Sequence, residues 1–204
     1  TPQDSREAGV PDYLVDAGGA VINSNGVCAA VWRPAVMERV VALQHALATR
    51  YDGDSVVEAV HTDEFAPPKP AVEDPTYSPA AAWGQWQVLM RAMAGFWPHT
   101  NKIFLGNWPG IGGSGETGTT VTLEYARSIG FGAGGPDILP NNSIWDGAKD
   151  RETWGEQGLQ GINGYGDIDF RGTIPISYQN ENPYQWDALT PSMVEQYAYE
   201  NLRA

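Results

Sequence analysis

The chain has 204 residues, of which 42% are hydrophobic and 11% aromatic, enough for a real core and too apolar for a disordered chain. Its formal net charge is −13, with 12 Lys and Arg against 25 Asp and Glu, which argues against nucleic acid as a partner because phosphates need cationic side chains. No apolar run is long enough to span a membrane, and the single cysteine, Cys28, leaves no internal disulfide and no cysteine zinc site.

Residues 1–33 read as irregular, with Gly18-Gly19 and Asn23-Ser24-Asn25-Gly26 as turn signals and one further strand to add to the four clear ones. A helix then opens at Pro34, a residue suited to a first helical position, and carries Val36, Val40, Leu43 and Leu47 at helical spacing. Asp52-Gly53-Asp54 ends it. The β-rich run Val56–Val60 follows and leads into His61-Thr62-Asp63-Glu64. After a proline-rich loop, Ser78-Pro79 starts a second helix by the cap-then-proline pattern, with Trp86, Met90, Met93 and Trp97 as its apolar stripe. Lys102–Gly106 reads as the next strand, ending in Asn107-Trp108-Pro109. A glycine-rich loop, a helix from about Thr119 to Ile129, and a short strand at Gly132–Asp137 come next. A long excursion spans Asn141–Asp169. Thr173–Gln179 is the last strand, and Thr190-Pro191 opens a final helix.

Strict alternation of strands and helices implies parallel strands with crossover connections, in one domain covering residues 1–204. A closed barrel and an open doubly wound sheet both satisfy it. The barrel is favoured: polar residues gather at the carboxyl ends of several strands beside long aromatic loops. A complete (β/α)₈ barrel needs about 250 residues. The expected fold is therefore α/β, a partial (β/α)₈ TIM-type barrel lacking its first strands and its last one, with the open doubly wound sheet as the alternative.

His61-Thr62-Asp63-Glu64 is the sharpest chemical signal, because two carboxylates at the end of a buried parallel strand are electrostatically costly. Partial desolvation of Glu64 at a barrel mouth would raise its pKa and suit it to protonate a glycosidic oxygen. Glycoside hydrolysis needs a second carboxylate. Glu181, after the last strand, is the first choice, and Asp137, fixed by Gly134-Gly135-Pro136, competes with it. If Glu64 ends strand four of a full barrel, Glu181 follows strand seven, across the mouth. His61, Asp63, Asn107, Trp108, Asp137, Tyr178 and Gln179 are the candidate substrate-binding residues: hydrogen-bonding groups and ring platforms beside the carboxylates. Eight Trp and nine Tyr add to this, since sugar C–H faces stack on aromatic rings. The three histidines lack metal-binding spacing, and the glycine-rich loop Gly110–Gly118 lacks the Lys-Ser or Lys-Thr that follows in a phosphate loop, so neither metal nor cofactor is expected.

On Val10–Leu14, Trp32–Val36, the stretch Leu47–Gly53 through Glu64, Gly134–Asp137 and Ile176–Gln179, the chain resembles glycoside hydrolase-like barrel proteins of the clan A type, with its likeness running in order over most of its length. The resemblance implies an acid/base Glu after strand four, matched by Glu64, and a nucleophile Glu after strand seven, matched in position by Glu181. In that family the acid/base is commonly preceded by Asn; here Asp63 stands there, with a different donor capacity toward a sugar hydroxyl. The implied chemistry is retaining hydrolysis of an O-glycosidic bond in a carbohydrate substrate, outside the cytoplasm in the extracellular or periplasmic space. The first residues, Thr1-Pro2-Gln3-Asp4, lack the charged start and apolar stretch of a signal peptide, and Thr1 reads as a trimmed start. A non-catalytic carbohydrate-binding barrel is the alternative, and a doubly wound protein with an unrelated ligand is a third reading. The sequence sets no oligomeric state.

Overall fold

The structure, a computed structural model, describes residues 10–23, 26–63, 65, 70, 73–106, 115–135, 172–178, 192, 195, 196 and 199. The chain divides into two compact units where the sequence suggests one domain: Thr1–Asp54 with Ala66–His99, and Ser55–Phe65 with Thr100–Ala204.

The first unit is built on two long helices. It opens with a short helix α1 (Asp12–Asp16) and an antiparallel hairpin, β1 (Ala20–Asn23) and β2 (Gly26–Ala29), in a stretch the sequence suggests is irregular. Val21-Ile22 and Val27-Cys28 are the β-favouring pairs flanking the Asn-Ser-Asn-Gly turn, so the signal was present but short. Helix α2 (Pro34–Tyr51) has proline in its first turn, as expected. Its buried face, however, is Val36, Met37 and Ala48, while Leu43 is 57% exposed. Helix α3 (Pro79–Phe96) follows the expected pattern more closely. The Ser78 hydroxyl accepts from Ala81 N–H at 3.0 Å, satisfying one of the free donors of the first turn. Trp86, Met90, Met93 and Trp97 are all buried.

The two helices pack together and are tied at their carboxyl ends. Trp97 Nε1 donates to Gln44 Oε1 at 3.2 Å, His99 N–H donates to Asp52 Oδ1 at 3.1 Å, and the His45 and Phe96 rings lie 4.6 Å apart. At the other end a polar knot holds the 73–77 segment to the entry of α2. Arg33 Nη2 meets Asp74 Oδ2 at 2.6 Å, and Arg33 Nη1 donates to the Gly18 carbonyl. Thr76 donates to Asp74 Oδ1 from both its hydroxyl (2.6 Å) and its backbone N–H (2.8 Å). The Thr76 hydroxyl in turn accepts from Trp32 Nε1 at 3.1 Å. These bonds, those from Thr76 foremost, hold the Asp74 carboxyl below its ordinary pKa.

The second unit holds a four-stranded parallel sheet in the order β3 (Ala59–His61), β4 (Asn101–Leu105), β5 (Gly132–Gly135), β6 (Ile176–Tyr178). The chain is thus α/β, and among the described strands of this sheet spatial order follows chain order. Helix α4 (Gly115–Ser128) connects β4 to β5. It ends at Gly130, whose φ of 81° suits glycine; Gly130 N–H donates to the Arg127 carbonyl and Phe131 N–H to the Ala126 carbonyl, the paired bonds of a Schellman stop. Thr122, Leu123 and Ala126 are buried, and Leu123 reaches the face of the sheet that carries Phe104.

The opposite face has the register-aligned set His61, Ile103, Leu105, Gly132, Gly134 and Ser177. Here β5 has no side chains. A Cβ at Gly132 would lie 2.6 Å from Ile103 Cδ1 and would strike the Pro175 carbonyl oxygen; one at Gly134 would lie 2.8 Å from Leu105 Cδ2 and would strike the Ser177 carbonyl oxygen. The β4 side chains and the β6 backbone therefore close over the glycines, and the sheet curls toward this face.

Candidate functional site

The curl brings together groups that a flat sheet would hold apart. With strands about 4.8 Å apart, β3 and β6 would stand roughly 14 Å from one another across three spacings. Yet the Ser177 hydroxyl lies 3.4 Å from His61 Nε2. The two residues are 116 positions apart in sequence. Both sit on the concave face, above an apolar floor of Ile103, Leu105 and the β5 glycine backbone. Solvent reaches His61, but partial desolvation still pushes its pKa below the ordinary histidine value, favouring the neutral imidazole.

The carboxyl end of β3 is shaped by a second local feature. Phe65 is four positions beyond His61, whereas their β4 partners Ile103 and Gly106 are three positions apart. The β3 side thus carries one extra residue, a bulge, at the end of the strand where the polar residues cluster. The Thr62 hydroxyl repairs the ladder there. It is buried, and it accepts the Leu105 N–H at 3.0 Å, while Thr62 N–H donates to the Ile103 carbonyl and Phe65 N–H to the Leu105 carbonyl, each at 2.9 Å. Phe65 is fully buried and packs on Phe104 at 6.0 Å, pinning the chain just past the bulge. Asp63, between these two anchors, is exposed.

Of the residues expected at a site, the structure places His61 and Asp63 at this strand end, and the backbone of Tyr178 in β6 next to Ser177. Glu64, Glu181, Asn107, Trp108, Asp137 and Gln179 lie outside the described residues. Two contributors were missed in the sequence. Thr62 was read only as part of a polar cluster. Ser177 was read only as a strand residue, although a hydroxyl at an inward position of a parallel strand is itself a signal. Among the described residues, no group of three or more His, Cys, Asp or Glu side chains is arranged to hold a metal ion, and no helix is long and apolar enough to cross a membrane.

The first unit has a concavity of its own, a groove of about 750 Å³ whose walls include Val10, Leu14, Val36, Val40 and Leu43. Its lining is largely apolar. Arg39 Nε donates to the Tyr13 hydroxyl at 3.2 Å with the guanidinium over the Tyr13 ring, and burial keeps the Cys28 thiol protonated by raising its pKa. This groove therefore offers little acid–base chemistry, and the polar strand ends of the second unit are the better candidate site. No protein-family model, curated protein or solved structure matches the chain.

Proposed function

We propose that the second unit is part of a (β/α)₈-type barrel and that its strand ends carry a glycoside hydrolase-like site, cleaving O-glycosidic bonds by a retaining, two-carboxylate mechanism. One observation supports this reading above the others: the contact between His61 and Ser177, which joins two non-adjacent strands over one concave face. Glu64 follows His61 by three residues, and Glu181 follows Ser177 by four. Chain connectivity thus tethers the two carboxylates to the two halves of a single polar contact.

In this reading Glu181 attacks the anomeric carbon while Glu64 protonates the leaving oxygen. Glu64 then deprotonates the water that releases the sugar from Glu181. Asp63, Asn107, Trp108, Tyr178 and Gln179 bind and orient the ring, and Asp137 is the competing second carboxylate. No cofactor or metal takes part. A carbohydrate substrate suits a chain whose acidic charge disfavours polyanions, and the reading places it in the extracellular or periplasmic space.

A panel of 4-nitrophenyl glycosides assayed with the 204-residue chain tests the proposal. Hydrolysis with retained anomeric configuration is expected, falling by at least about 100-fold in Glu64→Gln and in Glu181→Gln. Inverted product would transfer the second role to Asp137. Sugar binding with no hydrolysis by the native chain would refute the enzyme and leave a carbohydrate-binding barrel.

A further inference from the structure

We propose that His61 and Ser177 form a two-point clasp for adjacent hydroxyl groups of a neutral sugar ring, a positioning element of the proposed glycosidase site and one that rests on that reading. The first argument is the unspent capacity of both groups. Their mutual approach of 3.4 Å is at the outer edge of a hydrogen bond, and neither side chain makes another hydrogen bond among the described residues. Thr62 contrasts with both: its hydroxyl is buried and accepts the Leu105 N–H.

The second argument is chemical fit. A neutral imidazole presents one donor and one acceptor nitrogen, and a serine hydroxyl donates one bond and accepts two. A vicinal diol needs that mixture. A carboxylate or a phosphate would demand donors alone and a positive charge. Partial desolvation lowers the His61 pKa, in agreement with a neutral ring. Third, the pair has a firm base: Ile103 and Leu105, both buried, pack over the glycines of β5 beneath it.

The geometry assigns the clasp a role in holding the ring, not in bond making, so its removal should act on binding. The test uses methyl glycosides of glucose, galactose, mannose and xylose, titrated calorimetrically into the native chain and into Glu64→Gln, Ser177→Ala and His61→Phe. The glycoside that binds best is compared with its monodeoxy analogues. Ser177→Ala and His61→Phe are expected to weaken binding about three- to tenfold each. The analogue lacking the clasped hydroxyl should bind native and Ser177→Ala chains equally. Hydrolysis by both variants should show a raised KM with kcat changed little, which a general loss of folding would not produce; circular dichroism confirms the fold. Unchanged affinity in both variants, with hydrolysis still dependent on Glu64, overturns the clasp and leaves the glycosidase reading standing. Weakened binding in the clasp variants, with hydrolysis indifferent to Glu64→Gln, supports the clasp and overturns the carboxylate mechanism. Failure of every glycoside to bind overturns both.

Discussion

A methyl group at Gly134 tests the packing that curls the sheet. An ideal Cβ there lies 2.8 Å from Leu105 Cδ2 and 3.1 Å from the Ser177 carbonyl carbon, and it strikes the Ser177 carbonyl oxygen. Leu105 can rotate away, but the Ser177 carbonyl is backbone and can yield only if β6 moves. Restoring ordinary contact requires a shift on the order of 1 Å. Overpacking of this kind costs about 1–3 kcal/mol. At about 2–4 °C per kcal/mol for a chain of this size, Gly134→Ala should lower Tm by about 2–12 °C. Ser177 rides on β6, so its 3.4 Å approach to His61 should open beyond hydrogen-bond range and sugar affinity should fall with it. Calorimetric melting and glycoside titration read the two effects. Gly84→Ala, inside α3, is the control for overpacking: a Cβ there meets nothing within 4 Å, so Tm should not fall. A Gly134→Ala chain with native Tm and native affinity would refute the argument that glycine permits the curl.

Three further outcomes follow from local features. Thr62→Val keeps the shape but strips the acceptor from a buried Leu105 N–H, and should cost about 1–3 kcal/mol in urea unfolding, with Thr62→Ser recovering most of it. Gly95→Ala, on an exposed turn of α3 with open space around it, should stabilise by about 0.5–1 kcal/mol, whereas Gly130→Ala forces a side chain into φ 81° and should cost about 1–2 kcal/mol. Asp74 has a depressed folded-state pKa, so it contributes stability in full above its unfolded pKa, and that contribution is lost as pH falls through the folded value. Asp74→Asn should therefore lower Tm at neutral pH, and the gap to native should close in acid; a gap independent of pH would refute the assignment.

Helix α3 was legible because cap, first-turn proline and apolar spacing all agree, and Trp86, Met90, Met93 and Trp97 are buried as that agreement implies. Helix α2 shows the limit of the same method. Its ends were clear, but periodicity cannot say which of two apolar flanks is covered, and Leu43 stays exposed while Met37 is buried. The parallel strands were expected near their observed places, though β3 begins later than the Val56 run, since Val56 is 83% exposed and only Ala59–His61 finds a β4 partner. The candidate site was legible only as far as His61 and Asp63. The bulge at Thr62 depends on how two strands count residues against each other, and the approach of Ser177 to His61 depends on a curl made by glycines in a third strand. Neither is a property of any one segment.

The near-absence of side chains in β5 also bears on how the sheet is assembled. A strand reading Gly-Ala-Gly-Gly has little of its own to distinguish one alignment from a slip along its neighbours. Its alignment must be inherited, and the source is the entrance: the Gly130 stop of α4 and the buried ring of Phe131 fix the chain immediately before the strand begins. Docking of α4 should then precede correct pairing of β5, and β6 can find its place only after β5 has found its own. Length changes between Ser128 and Gly132 would thus be tolerated far less than is usual for a surface connection, because that short turn acts as the ruler for half of the sheet.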